Sequence, residues 1–266
     1  MTPSFLYGTA WKEDDTERCV RDALAAGFRG IDTANQRKHY FEAGVGRGIA
    51  ASGIARDQLF IQTKFTFLDG QDQRLPYDAQ APIATQVAQS FASSLEHLGV
   101  TYLDSLVLHG PSEYQGLGAE DHEAWRAMEQ LVDRGGVRAL GISNVNAQQI
   151  VDLVAFARIK PTFVQNRCYA KTGWDQLSRR VCAQHGITYQ GFSLLTANRQ
   201  VLAHRGVTEI AKHHGKAPAQ IVFRFAQQIG MLPLTGTTKP AHMKLDLAID
   251  DFTLTADELA LIESAG

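Results

Sequence analysis

The sequence predicts one domain, residues 1–266, folded as a parallel (β/α)8 barrel of the TIM type with a short C-terminal helix. Short apolar segments alternate with longer amphipathic segments from end to end, which is typical of α/β folds. Several apolar segments lack polar alternation, as expected for parallel strands covered on both faces. A doubly wound sheet would place a GxGxxG turn after the first strand, and YGTAWKEDD is not such a turn.

Eight segments have the length and composition of buried strands. In chain order they are 5–10, 29–32, 59–65, 103–109, 137–143, 163–167, 187–192 and 231–237.

Helices are predicted between these strands from their apolar spacing and their end signals. The first, DDTERCVRDALAAG, opens with acids and closes at Gly27. Others are predicted over 81–99, 120–136, 146–159, 174–186, 205–215 and 217–230, with a short helix from Pro240 and a last one over 255–265. The strand-seven loop, TANRQVLAHRG, is predicted to be short.

Composition favours a small-molecule enzyme over a nucleic-acid or membrane protein. The chain has 44% hydrophobic residues and a formal net charge of -2, so no overall field attracts nucleic acid or a membrane surface. The three cysteines show no CxxC spacing. Neither a secretory leader nor a membrane-spanning apolar run is visible. We therefore expect a reduced, cytoplasmic location.

Polar residues stand at or near the predicted carboxyl ends of five strands, where barrel enzymes carry their sites. Each could have a purely structural role, such as a loop cap, a strand-edge charge or a core histidine. Together, however, they are predicted to converge on one rim. They are Asp32, Lys64, His109, Ser143, Asn144 and Gln165.

A proton-donating site follows if Tyr40 reaches this rim. A free phenol has a pKa of about 10, and a neighbouring Lys64 ammonium would lower it. Asp32 would keep Lys64 charged, and His109 would orient a substrate oxygen. No nucleophile with a paired base and no metal-binding pattern such as HExxH is present, so we predict no metal. A carbonyl protonated at oxygen needs a hydride at carbon, which a nicotinamide cofactor supplies.

The chain resembles an aldo-keto reductase over essentially its whole length. The matching segments include GTAW, ALAAGFRGIDTA, EAGVG, LFIQTKF, YLDSLVLHGP, GGVRALGISN, GFSLL and LTGTTKPAHMKLDL. The resemblance implies a (β/α)8 barrel that reduces aldehydes or ketones with NADPH, less often NADH. It also implies a catalytic tetrad of Asp, Tyr, Lys and His, here Asp32, Tyr40, Lys64 and His109.

Tyr40 departs from the family spacing. The family tyrosine stands about five positions after the aspartate, where this chain has Arg37, so NQRKHYFEAGVG contains a three-residue expansion. The following FEAGVG matches what comes after the family tyrosine and therefore anchors Tyr40. Arg37, Lys38 and His39 are expected at the tip of this loop, facing solvent.

The resemblance also implies cofactor contacts. Ser143, Asn144 and Gln165 match the residues that bind the nicotinamide carboxamide, and Phe192 replaces the ring that stacks on it. Thr237 and Thr238 precede Pro240 at a helix start suited to phosphate. The full predicted set is Gly8, Thr9, Ala10, Asp32, Ser143, Asn144, Gln165, Phe192, Ser193, Leu195, Gly236, Thr237, Thr238, Lys239, His242 and Asp246.

The choice between NADPH and NADH is the open point. Family members often hold the 2′-phosphate with a Lys-Ser pair and a later Arg, where this chain has Gly236, Thr237 and His242. Lys239 is the cation that we expect to compensate, as a point charge. NADPH is favoured, with NADH as the alternative.

The substrate is expected to be a small carbonyl compound bound in an open site, because the chain carries no long C-terminal tail. Trp11, Tyr40 and His109 are predicted to contact it. Other aromatic residues that could line the site are Phe65, Tyr114, Tyr169 and Trp174. We expect a monomer that binds neither nucleic acid nor a membrane.

Two alternatives remain at this stage. A barrel that binds nicotinamide nucleotide but acts as a sensor or accessory subunit would keep Ser143, Asn144 and Gln165 and turn over slowly. A barrel of unrelated chemistry would not bind the nucleotide.

Overall fold

The computed structural model describes residues 2–266 and shows a closed barrel of eight parallel strands in the order β1 to β8. Each strand lies within its predicted segment, so the predicted (β/α)8 fold is confirmed. The strands are β1 Leu6–Gly8, β2 Gly30–Asp32, β3 Phe60–Phe65, β4 Ser105–Leu108, β5 Leu140–Ser143, β6 Phe163–Arg167, β7 Thr188–Phe192 and β8 Met231–Thr235.

The barrel closes because β1 pairs with β2 on one side and with β8 on the other. Leu6 stands opposite Gly30 and also opposite Leu234. Gly30 must lack a side chain, since an added Cβ would lie 2.5 Å from atoms of Pro3 and Leu6. The first strand, β1, is thereby joined to the last strand, β8.

Helices surround the barrel. They are α1 Thr16–Ala26, α2 Glu42–Ser52, α3 Ile83–Leu98, α4 Ala119–Asp133, α5 Ala147–Phe156, α6 Gln176–Gln184, α7 Arg199–Ala203, α8 Arg205–His214, α9 Pro218–Gln228, α10 Pro240–Leu247 and α11 Ala256–Ser264. Two predicted end signals hold: α1 closes at Gly27 in a left-handed conformation, and α10 starts at Pro240. The structure also shows that Thr255 caps α11.

The predicted loop after β7 contains a helix that the sequence did not indicate, α7. Asn198 precedes it and is fully buried. Its amide donates to the carbonyl oxygens of Cys168 and Leu194, while its Oδ1 accepts from the backbone of Ala170. These long-range bonds fix the segment, which a local pattern of apolar residues does not reveal.

The barrel interior has an apolar floor and a polar upper layer. Phe60 and Phe163 begin β3 and β6, and their rings meet edge to face at 5.6 Å in a cluster with leucines of β1 and β8. Above them, Gln62 and Gln190 exchange hydrogen bonds of 2.8 and 3.0 Å across the barrel. The apolar floor fills the barrel near the start of β3 and β6.

Within residues 2–266, no helix combines the length and apolar character needed to cross a bilayer.

Candidate active site

A cavity of about 780 Å³ opens at the carboxyl ends of the strands. Most of the residues predicted to bind cofactor or substrate line it, although they come from nearly the whole length of the chain. Those in its wall are Gly8, Ala10, Trp11, Asp32, Tyr40, His109, Ser143, Gln165, Phe192, Ser193, Leu195, Gly236, Thr237, Thr238, His242 and Asp246.

Four predicted site residues do not line this cavity. Thr9 is buried beneath the wall and donates to the carbonyl of Asp32. Lys64 is also buried below it. Asn144 faces a neighbouring cavity of about 500 Å³, which His109 also lines. Lys239 is exposed and does not line the wall, and its expected role as the phosphate cation stays a prediction.

Asp32 and Lys64 form a buried ion pair at the base of the cavity. Lys64 Nζ donates to both carboxylate oxygens, at 2.7 and 2.8 Å, and to the carbonyl of Thr33 at 2.7 Å. An ammonium has three N–H donors, so all of them are used. Burial lowers the pKa of Lys64, and Asp32 opposes this shift. Gln62 and Gln165 also donate to Asp32, which satisfies the buried carboxylate.

Tyr40 reaches the cavity because the expanded loop folds into one tight turn. The backbone N–H groups of His39 and Tyr40 both donate to the carbonyl of Gln36, and Trp11 N–H donates to the carbonyl of His39. The Tyr40 ring lies edge-on to His109, with centroids 5.9 Å apart, and 5.4 Å from Lys64 Nζ. The three extra residues therefore bring the phenol back to the rim.

The pKa of Tyr40 is raised in this structure, whereas the neighbouring Lys64 was expected to lower it. Burial raises the pKa of Tyr40, and the carboxylate of Asp32 raises it further. Lys64 Nζ lies 5.4 Å from the ring centroid, and its three N–H donors are engaged by Asp32 and Thr33, so none is free to donate to the phenol oxygen. The phenol is consequently held in its protonated form.

Two of the three residues at the loop tip are packed against other side chains, although all three were expected to face solvent. Lys38 is exposed, but Arg37 stacks on Phe41 with 4.3 Å between guanidinium and ring centroid. His39 stacks on Trp11 with ring centroids 3.9 Å apart and bonds to Gln36 through Nδ1. Trp11 is nevertheless 70% exposed. Of these three loop residues, Arg37 and His39 therefore pack against aromatic rings instead of pointing freely into solvent.

His109 is uncharged. Burial lowers its pKa to about 3, and the nearby charge of Lys64 contributes to this shift. Its Nδ1 lies 2.7 Å from the hydroxyl oxygen of Thr66, and its carbonyl accepts from Asn144. Asn144 does not cap α5, because Asn146 fills that position. The sequence reading missed Thr66, which has no signal apart from its place one residue beyond β3.

Ser143 and Gln165 present polar groups to the cavity next to Phe192. The Ser143 hydroxyl donates to the Gln165 backbone carbonyl at 2.6 Å. Gln165 Nε2 donates to the carboxylate of Asp32 and to the side-chain carbonyl of Gln190. No described residue donates to Gln165 Oε1, so this acceptor is available for an amide of a ligand. Beside a flat aromatic ring, such groups suit a nicotinamide carboxamide.

Lys12 is a cavity residue that the sequence reading missed. It is only 6% exposed, its Nζ donates to the carbonyl of Gly236 at 2.9 Å, and no carboxylate within residues 2–266 forms an ion pair with it. Burial lowers its pKa to about 8. A buried cation without an anionic partner is costly, and it can be stabilised by a bound anion.

The four other aromatic residues proposed for the substrate site do not line the cavity. Phe65 and Trp174 are core residues, and Tyr114 is 94% exposed on the surface. Tyr169 does not line the cavity either, so Trp11 is the member of that set found in its wall.

One group of potential metal ligands lies outside the cavity. Ligand atoms of His213, His214 and Glu258 fall within 4.8 Å of one another. Glu258 already accepts from Thr255 in the cap of α11 and from His214. These contacts explain the cluster as a helix–helix link without a metal.

The fold and the cavity define the class of protein: a (β/α)8-barrel enzyme with its site at the carboxyl ends of the strands. The family model of the Aldo/keto reductase family matches residues 5–266. The chain belongs to this family, and it is an NAD(P)H-dependent oxidoreductase.

Similar proteins of known sequence are named as aldo-keto reductases or as oxidoreductases. The chain is 32% identical to an aldo-keto reductase of Mycolicibacterium vanbaalenii, covering 94% of this chain and 82% of that protein. It is 33% identical to the uncharacterized oxidoreductase YtbE of Bacillus subtilis, covering 98% and 88%.

Solved structures agree with the barrel. An aldo-keto reductase from Brucella melitensis is 28% identical and superposes with a TM-score of 0.84, covering 99% of this chain and 95% of that one. The Bombyx mori aldo-keto reductase AKR2E4, solved in complex with NADP, is 25% identical with a TM-score of 0.83, covering 99% and 89%.

Proposed function

We propose that this protein reduces an aldehyde or ketone to an alcohol with hydride from NADPH, and that Tyr40 donates the proton. The observation that carries the proposal is the meeting of Tyr40, His109 and the Asp32–Lys64 pair at one cavity. Family membership makes carbonyl chemistry the natural use of such a site. NADPH, bound beside these residues, would supply the hydride.

Tyr40 is suited to give up its proton late in the reaction. Its raised pKa keeps the phenol protonated at neutral pH, so Tyr40 carries its proton before the substrate binds. An alkoxide is a stronger base than a phenolate, and transfer to the substrate oxygen becomes favourable as negative charge develops there. The buried ammonium of Lys64, 5.4 Å from the ring, stabilises the phenolate once it forms.

Asp32 and His109 have supporting roles in this proposal. Asp32 holds Lys64 as an ammonium ion, because a lysine buried alone would tend to lose its proton. His109, which is neutral, donates a hydrogen bond to the carbonyl oxygen and orients it toward Tyr40. Trp11 supplies an apolar wall for the substrate, which is a small molecule able to enter an open rim.

The cavity residues suit the cofactor at both ends. Ser143, Gln165 and Phe192 would hold the nicotinamide, through the carboxamide and through the ring face. Thr237 and Thr238 lie just before α10, whose free N–H groups favour phosphate. Lys12 is the buried cation at this end of the wall. That the Bombyx mori relative was solved with NADP supports NADPH over NADH.

Replacement of Tyr40 by Phe tests the proposal. We expect kcat/KM for NADPH-dependent reduction of a nitrobenzaldehyde to fall about 100- to 10,000-fold, the range typical of general acid catalysis. The dissociation constant for NADPH, measured by calorimetry, should stay near the value for the unchanged protein. Retention of most of the activity by Tyr40→Phe would remove Tyr40 from the mechanism.

Tyr114→Phe is the matched control. This tyrosine is 94% exposed and lies outside the cavity, so loss of its hydroxyl should leave both activity and NADPH binding unchanged. Equal effects of the two substitutions would show that the loss is not specific to the cavity.

A further inference from the structure

The direction of the hydrogen bond between His109 and Thr66 determines what His109 can do. A neutral imidazole carries one N–H, on either Nδ1 or Nε2. Nδ1 is 2.7 Å from Thr66 Oγ1, whereas Nε2 bonds to no described residue and belongs to a side chain that lines the cavity. If Nε2 carries the hydrogen, it donates to a ligand. If Nδ1 carries it, Nε2 presents a lone pair.

Thr66 is held so that its hydroxyl cannot turn elsewhere. The residue is 6% exposed, and its carbonyl accepts from the Tyr77 hydroxyl at 2.8 Å and from Gln71 Nε2 at 3.3 Å. Its methyl group faces Gly70, where an added Cβ would lie only 2.6 Å away. Backbone bonds on one side and close packing on the other therefore fix the hydroxyl next to His109.

The hydrogen-bonding needs of the Thr66 hydroxyl and of His109 Nδ1 then decide the tautomer. A buried hydroxyl that donates to nothing costs free energy, and Nδ1 is the only described partner of Thr66 Oγ1. If Nδ1 carried the hydrogen, the Thr66 proton would have no acceptor within residues 2–266. If Thr66 donates, Nδ1 accepts, and both groups are satisfied with the remaining hydrogen on Nε2.

We propose that Thr66 is a positioning residue that fixes His109 in the Nε2–H tautomer, so that its one hydrogen points into the cavity toward a carbonyl oxygen. The tautomer itself follows from the contacts alone, and only its use on a substrate rests on the proposed function. Tyr40 and His109 would then address the same oxygen, one with a transferable proton and one with a fixed hydrogen bond.

Nitrogen NMR of histidine side chains tests the tautomer directly. Protein labelled with 15N-histidine is examined near neutral pH, and the His109 signals are assigned by their loss in His109→Asn. We expect the Nε2–H pattern in the unchanged protein and in Thr66→Ser, which keeps the hydroxyl. Thr66→Val has a similar shape and no hydroxyl, so it should show a mixture of tautomers or the Nδ1–H form.

Kinetics give the functional readout. With NADPH and a nitrobenzaldehyde, we expect Thr66→Val to lower kcat/KM about 5- to 20-fold, the equivalent of one hydrogen bond. Thr66→Ser should recover most of the loss, and NADPH affinity should not change in either variant. A purely structural role for Thr66 would lower stability without changing the His109 tautomer.

Two results would overturn the proposal: an Nδ1–H signal in the unchanged protein, or an unaltered Nε2–H signal with full activity in Thr66→Val. If Thr66→Val fails to fold, the spectra of the unchanged protein and of Thr66→Ser still decide the tautomer. An Nε2–H signal together with an active Tyr40→Phe would support the role of Thr66 while refuting the proposed proton donor.

Discussion

Lys12 shows how a single residue acquires a role only through folding. Its partner Gly236 lies 224 positions away, and its ammonium also lies 5.2 Å from the Tyr7 ring centroid. Tyr7 in turn donates to the carbonyl of Thr237, which ties β1 to the segment before α10. The cation is thus placed beside the positions where many family members carry their phosphate-binding residues.

Lys12→Met should weaken NADPH binding about 10- to 100-fold, because the bound phosphates lose a buried charged hydrogen bond. Lys239→Ala is the matched comparison: this lysine is exposed outside the wall, and its loss should change the dissociation constant about twofold or less. Calorimetric titration of both variants measures the difference. A larger loss in Lys239→Ala would return the phosphate-binding role to Lys239.

The pH dependence of binding should report the same charge. Burial lowers the pKa of Lys12 to about 8, so below that pH the amine is charged and above it the free protein holds it neutral. A bound phosphate favours the charged form, and NADPH affinity should therefore fall as pH rises through about 8. Lys12→Met should lack this decline, and an identical decline in that variant would assign it to another group.

Sequence reasoning succeeded for residues whose position depends on strand order. Asp32, Lys64 and His109 could be placed together because parallel strands end at one rim. Lys12 and Thr66 could not be selected, because nothing local distinguishes a buried lysine or threonine from an exposed one. The raised pKa of Tyr40 also depends on burial and on the nearby carboxylate of Asp32, and both require coordinates.

At the scale of elements, α2 and α3 pack so closely that a glycine is needed between them. A Cβ on Gly46 of α2 would collide with the carbonyl oxygen of His97 and lie 3.0 Å from Leu98 Cα. These neighbours are backbone atoms at the end of α3, so they cannot move aside without shifting the helix. The packing matters for the site because α2 follows directly on the turn that carries Tyr40.

Gly46→Ala should lower the free energy of unfolding by about 1–3 kcal/mol, as overpacking does, although alanine is the better helix former. Gly44→Ala on the same helix is the control. Its Cβ would meet side-chain atoms of Phe41 and Thr16 at 3.0 and 3.1 Å, which can adjust, so its cost should be smaller. Urea unfolding compares the two. Equal stability of Gly46→Ala and the unchanged protein would contradict the prediction.

The bounds of most elements could be read from the sequence, but those of α2, of α7 and of the turn before α2 could not. The glycine and proline signals at the ends of α1 and α10 act through local backbone geometry, which sequence exposes. The helix α7 depends on Asn198, whose partners lie up to 30 positions away. The turn before α2 depends on bonds to Gln36 and on the contact with Trp11.

For the whole molecule, the polar layer inside the barrel joins strands that are distant in sequence. Gln190 of β7 accepts from Gln62 and Gln165 and donates back to Gln62, and both partners also bond to Asp32. Barrel closure brings these amides together, so the layer could not be derived from the alternation of strands and helices that predicted the fold.

Gln190→Leu should lower the free energy of unfolding by about 2–4 kcal/mol, because it leaves amide groups of Gln62 and Gln165 buried with fewer partners. Gln148→Leu provides the comparison, since Gln148 is exposed on α5 and bonds only to Asp152. Its effect should stay within about 0.5 kcal/mol. Thermal and urea unfolding measure both, and a neutral Gln190→Leu would show that the layer does not hold the barrel together.

The exposure of Trp11 at the cavity rim has a consequence for the fluorescence of the protein. The chain has three tryptophans, and Trp125 and Trp174 are fully buried, whereas Trp11 is 70% exposed at the cavity rim. Red-edge emission and quenching by acrylamide should therefore come almost entirely from Trp11. The rim of this barrel carries its own fluorophore, which can follow ligand arrival in real time without any added label.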